Sequence, residues 1–163
     1  MKKNWLFILL ISVLGLTNCK KDEPDTPADE NAHFQILDVN GTVVENNHTF
    51  TFDLTNPDRN LVLLAKNTSG QTIHLKTRLT DVIGTDGSKM EFCFGNCYIG
   101  MELNTVYPVN SSLDVNGNST TPPSAIHYAN HTNSSAAYTI EIFEVDDEGN
   151  QVGEAFVFKH VTQ

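Results

Sequence analysis

The chain has one tryptophan among 163 residues, three cysteines, and ten lysines and arginines against twenty aspartates and glutamates. The tryptophan is Trp5, inside the first apolar run, so the core of the remaining chain must rest on Phe, Tyr, Ile, Leu and Val. The Cys…Trp…Cys core of antibody domains is therefore missing. The shortage of basic residues excludes a nucleic-acid binder, because an acidic surface repels phosphate backbones and anionic headgroups. No Gly-x-Ser-x-Gly, His-Glu-x-x-His or phosphate-binding loop occurs, so no catalytic residue, cofactor or metal is assigned. The one long apolar run, Trp5 to Leu16, falls short of the about 20 residues that span a bilayer.

That run follows Lys2 and Lys3 and leads directly into an acidic, proline-containing stretch, which is the layout of a secretion signal rather than of an anchor helix. Leu16-Thr17-Asn18-Cys19 closes it. The segment resembles a bacterial lipoprotein signal, in which Leu and two small residues precede a cysteine that receives lipid and becomes the new N-terminus. Leu16, Thr17 and Cys19 match; Asn18 is larger than the usual residue. After the cysteine, Lys20 is followed by Lys21, Asp22 and Glu23. This resembles the surface-export signal of Bacteroidetes-type lipoproteins, where any residue, then Lys, then two acidic residues follow the cysteine. The resemblance implies lipidation of Cys19 and a lipid-anchored position on the outer membrane, at the cell surface. Three regions are expected: a signal peptide over 1–18, a lipidated disordered tether over 19–31, and one domain over 32–163. The tether is too polar to fold and reaches at most about 40 Å at full extension. Loss of Lys2 and Lys3 with the signal leaves eight basic against twenty acidic residues, a net charge of −12.

With Cys19 assigned to lipid, two cysteines remain, in Phe92-Cys93-Phe94-Gly95-Asn96-Cys97-Tyr98. Apolar residues alternate on both sides of Gly95-Asn96, which predicts two strands joined by the loop Phe94-Gly95-Asn96. Cys93 and Cys97 then face each other at a Cα separation of about 4.5–5.5 Å, and an oxidising compartment would close the disulfide. Its loop is short, so the entropic gain is only about 2 kcal/mol. A thioredoxin-like redox site wants two intervening residues at a helix N-terminus, and zinc wants two further ligands. A regulatory bridge has no motif behind it.

From His33 onward the pattern has period two, the mark of half-buried strands. Phe50, Phe52 and Leu54 alternate with polar residues, as do Ile73, Leu75, Thr77 and Leu79, then Tyr138, Ile140 and Ile142, then Phe156 and Phe158. The unbroken run Leu61–Ala65 reads as a buried central strand. Turn pairs such as Asn40-Gly41, Asp86-Gly87 and Gly149-Asn150 punctuate these runs. The strongest hairpin joins Tyr138–Val145 to Gln151–Val161 through Asp146–Asn150. Eight to ten short strands predict an all-β fold, a single immunoglobulin-like or fibronectin-like antiparallel β-sandwich. The polar stretch from Asn110 to Pro123 reads as a long exposed crossover. Asp-Val-Asn-Gly occurs at 38–41 and again at 114–117, too short to be a repeat. His127 and His131 have the i, i+4 spacing that suits zinc on a helix, but their neighbours favour an extended segment, which holds them about 13 Å apart. Asp146-Asp147-Glu148 matches no calcium loop and suits a tight turn.

Two segments, Phe92–Tyr98 and Tyr138–Phe143, resemble those of Bacteroidetes-type exported lipoproteins with an immunoglobulin-like β-sandwich domain. The resemblance implies fold and compartment only. The expectation is a tethered, non-catalytic binding or accessory module of an outer-membrane assembly, with a protein complex or a glycan as its partner. Phe94 and Tyr98 beside the disulfide are the candidate contact residues, unless the core claims them. The competing expectations are a structural subunit of an envelope complex and a hydrolase whose site is assembled by folding.

Overall fold

The computed structural model describes residues 33–163. Cys19, Lys21, Asp22 and Glu23, with the signal peptide and the tether, lie outside the described residues. Eleven strands follow one another: β1 (Phe34–Leu37), β2 (His48–Phe52), β3 (Asn60–Asn67), β4 (Ile73–Ile83), β5 (Met90–Phe94), β6 (Asn96–Ile99), β7 (Val106–Tyr107), β8 (Leu113–Val115), β9 (Ile126–Asn130), β10 (Ala136–Val145) and β11 (Gln151–Thr162). They form two sheets packed face to face, the all-β sandwich that the period-two pattern predicts. One sheet has the order β1-β3-β9-β5-β6; the other has β2-β11-β10-β4-β7, with β8 also on β4.

The alternation of residue types decides which side chains meet between the sheets, since successive residues of a strand point to opposite faces. Ile73, Leu75, Thr77 and Leu79 of β4 are buried, as are Tyr138, Ile140 and Ile142 of β10 and Phe158 of β11. Leu61, Leu63 and Ala65 of β3, Phe92 and Phe94 of β5 and Ile126 and Tyr128 of β9 meet them from the other sheet. Tyr128 lies edge-on to Phe158 at 5.3 Å and its hydroxyl meets Thr77 Oγ1 at 2.9 Å. Thr77 also donates to the Glu141 carbonyl, so this polar pair in the core is satisfied.

Three expectations change in the folded chain. The sandwich is not antiparallel throughout: β2 runs parallel to β11, from Phe158 opposite His48 to Thr162 opposite Phe52. A parallel neighbour needs a long connection, and nearly the whole domain separates these two strands. The stretch from Asn110 to Pro123 is not wholly an exposed crossover, because β8 pairs with β4 and buries Leu113 and Val115. Leu61–Ala65 is an interior strand of its sheet, yet Val62 and Leu64 face outward and are half-buried. Phe143 also faces outward but is buried, covered by the Arg78 guanidinium 4.9 Å from its ring centroid.

The two Asp-Val-Asn-Gly segments adopt different structures, in keeping with chance recurrence. At Asp38 the carboxylate accepts the amides of Asn40 and Thr42 and Gly41 takes φ +82°, closing a turn. Asp114 instead lies on β8, while Gly117 packs so closely on Gly70 that a Cβ would lie 2.3 Å from its carbonyl oxygen.

Candidate functional site

Two places gather exposed or reactive groups. The first is the outer edge of the five-stranded sheet. Cys93 pairs with Cys97 in the β5–β6 register and the two are joined in a disulfide, as the alternation around Gly95 predicts. Their Cα atoms are 3.9 Å apart, closer than expected, because Phe94 opposite Asn96 leaves Gly95 alone at the tip with φ +69°. β6 is the last strand of its sheet. Among the described residues no strand covers its far side, and Ile99 at its end is 86% exposed.

The aromatic contacts expected here are corrected by the packing. Phe94 points into the sandwich and is wholly buried, so it offers nothing to a partner. Tyr98 is half-buried, stacked on Phe92 at 5.1 Å and edge-on to Tyr107 at 5.0 Å. The strand's period of two explains both outcomes: Phe92 and Phe94 share the inner face of β5, and Tyr98, opposite Phe92, shares it on β6. The outward positions are Cys97 and Ile99, both exposed. Behind them the outer face continues through Cys93 of β5, His127 of β9 and Val62 of β3, which lie in register across the sheet.

His127 and His131 sit on and just beyond β9, as the extended reading requires. His127 is half-buried. His131 Nε2 meets Glu91 Oε2 at 2.9 Å, an exposed contact that ties the end of β9 to β5.

The second place is a cleft of about 300 Å³ between β4, the Asn110–Ser112 loop and the β10–β11 hairpin, lined by His74, Lys76, Ser112, Asp146, Asp147 and Glu148. His74 Nδ1 lies 2.8 Å from Asp114 Oδ1, and its Nε2 lies 3.7 Å from Asp147 Oδ1. The Ser112 hydroxyl donates to Asp114 at 2.6 Å, and this bond, with the His74 contact, holds the Asp114 carboxyl below its ordinary range. Sequence reasoning missed this cluster because β8, which delivers Asp114, carries only three residues of pattern.

A serine, a histidine and an aspartate together invite comparison with a hydrolase, and the geometry answers it. A nucleophilic serine gives its proton to one imidazole nitrogen while the carboxylate holds the other. Here Ser112 Oγ and Asp114 both lie against Nδ1, at 3.4 and 2.8 Å, and the hydroxyl proton is directed at the carboxylate. Nε2 faces a second carboxylate. The arrangement positions β8 against β4 and does not activate an oxygen. Asp146 of the same cleft is engaged by the hairpin: it accepts the backbone and side-chain N–H groups of Asn150 at 2.7 and 3.0 Å, which lowers its pKa.

No protein-family model and no curated protein matches the chain. Among solved structures it is similar to the N-terminal domain of PorA, with a TM-score of 0.52 and 18% identity, covering 80% of this chain and 97% of that one. At that identity the likeness establishes the fold, an all-β sandwich found elsewhere as one domain of a larger protein.

Proposed function

We propose that the protein is a lipid-anchored, non-catalytic binding module at the outer membrane, facing the cell surface and serving as an accessory part of an outer-membrane assembly. The observation that carries the reading is the uncovered edge of β6, where Ile99 is 86% exposed beside the disulfide that pins the strand. An unpaired strand edge offers a row of backbone donors and acceptors, which a partner's extended segment satisfies by adding a strand. Such an edge favours a polypeptide of an outer-membrane complex over a glycan, since among the described residues no exposed aromatic platform accompanies it: Tyr98 is engaged with Phe92 and Tyr107. The signal-like first thirty residues, with Cys19 and Lys21-Asp22-Glu23, supply the anchor and the address. The occurrence of the fold as a domain of PorA accords with a module that works beside other parts.

Protease treatment of intact cells, followed by membrane fractionation, tests the address. The native chain is expected in the membrane fraction and degraded by external protease. Cys19→Ala should lose membrane attachment, and replacement of Lys21, Asp22 and Glu23 by alanine should keep attachment but confer protection. A native chain that is protected in intact cells would overturn the surface assignment.

A further inference from the structure

The disulfide has a feature that a purely structural bridge does not need: a histidine paired in register with its buried half. Cys93 stands between Cys97 on one neighbouring strand and His127 on the other, each paired with it in register. Residues directly opposite across strands hold their Cβ atoms about 4.5–5.5 Å apart on the same face, so His127 is the same-face neighbour of Cys93 on β9. The two sulfurs are unequal in access. Cys97 is exposed on the last strand of the sheet, whereas Cys93 is 2% exposed. The charged groups sharing this face are Lys66 of β3, Glu91 of β5 and His131 past β9, and the last two are occupied with each other at 2.9 Å.

We propose that Cys93–Cys97 is a thiol–disulfide exchange site for an exported dithiol, with His127 as the group that stabilises the departing thiolate. A thiolate of the dithiol attacks the exposed sulfur of Cys97; the S–S bond breaks and its electron pair leaves on Cys93. The His127 imidazolium stabilises that thiolate and supplies its proton. The second thiol of the dithiol, as thiolate, then attacks the partner sulfur of the mixed disulfide. Cys97 leaves as a thiolate and takes up a proton from water. Two electrons pass from the dithiol, which ends oxidised, to the Cys93/Cys97 pair, which ends reduced. The order of events follows from access and from the rule that a leaving thiol of lower pKa departs faster, as one beside an imidazolium does. Reduction severs the covalent link between β5 and β6, so the redox state of the pair governs how firmly the uncovered edge is held. This consequence concerns the edge proposed above for binding; the exchange chemistry does not depend on that reading.

The test uses the purified chain, folded and without denaturant, with dithiothreitol as the probe and acid-quenched thiol trapping as the readout. Rates are divided by the concentration of attacking thiolate at each pH. The native chain should exchange, and its corrected rate should exceed that of His127→Gln about tenfold. His127→Lys, which keeps a cation at this position of β9, should retain the fast rate. A blocking label should appear first on Cys93, with the reductant held on Cys97. A bridge reduced only after unfolding, or the same corrected rate in the native chain and both variants, would overturn the assignment. So would a first adduct on Cys93. Membrane attachment and partner binding are not read in this experiment, so its failure leaves the surface-module reading standing and is distinct from that reading's own failure.

Discussion

His160 shows how one side chain couples this fold to pH. Its ring lies wholly inside, stacked on Phe52 at 4.4 Å, with Nε2 donating to the Arg59 carbonyl at 3.2 Å. Nδ1 is buried without a partner. Burial disfavours the charged imidazolium and pulls the pKa from 6.5 to about 4. The unfolded chain takes up this proton near pH 6.5 and the folded chain only near 4. Its contribution is therefore intact above 6.5, declines as pH falls below that value, and is gone once pH passes about 4. The decline amounts to about 3 kcal/mol. Urea unfolding should show a shallower loss of stability between pH 6.5 and 4 for His160→Gln than for the native chain, by about that amount. Asn67 carries a different lesson. Its buried amide donates to the carbonyls of Gln71 and Val115 and accepts the amide and hydroxyl of Ser69. Asn67→Ala strands those groups and is expected to cost about 2–4 kcal/mol, measured by the same unfolding curves.

At the scale of elements, the hairpins were the most legible part of the chain, because turn chemistry and alternation agree there. The β10–β11 hairpin runs with the loop 146–150 and the pairing Val145 to Gln151 that the Gly149-Asn150 signal indicates. The Cys hairpin likewise has its expected register. β8 was not legible, since three residues show no period, and its pairing partner is β4, about forty residues away. Nor was the burial of Phe143, which depends on Arg78 reaching over it from a neighbouring strand. His160 did carry a signal: it continues the inward parity of Phe156 and Phe158, and polarity alone hid it. For the disulfide, the prediction is modest stabilisation. Cys93→Ala with Cys97→Ala should lower unfolding free energy by about 2 kcal/mol through the loss of a short constrained loop and leave the sandwich intact by circular dichroism. Unfolding of the whole domain would contradict it.

For the molecule as a whole, fold and site were readable to different depths for a physical reason. A sandwich core is written in a repeating pattern along each strand, whereas a binding edge depends on which strand ends last in a sheet, a non-local outcome of β1-β3-β9-β5-β6 ordering. Phe94 and Tyr98 were the natural candidates by residue type, and the inner face of the sheet claimed Phe94 entirely and Tyr98 in part. On this hairpin the exposed apolar group is Ile99, the most exposed of the large apolar residues described. The acidic excess of the chain, twenty acidic against ten basic residues, opposes self-association of such an edge by like-charge repulsion. The proposed role requires this edge to meet a partner at the cell surface. Site-specific photocrosslinking in intact cells checks that requirement, with the crosslinker at position 99 or, as control, at the exposed position 49 of β2. A discrete adduct to an outer-membrane polypeptide from position 99, absent from position 49 and sensitive to external protease, is the predicted result. No adduct at 99, or the same adducts at 99 and 49, would contradict the account.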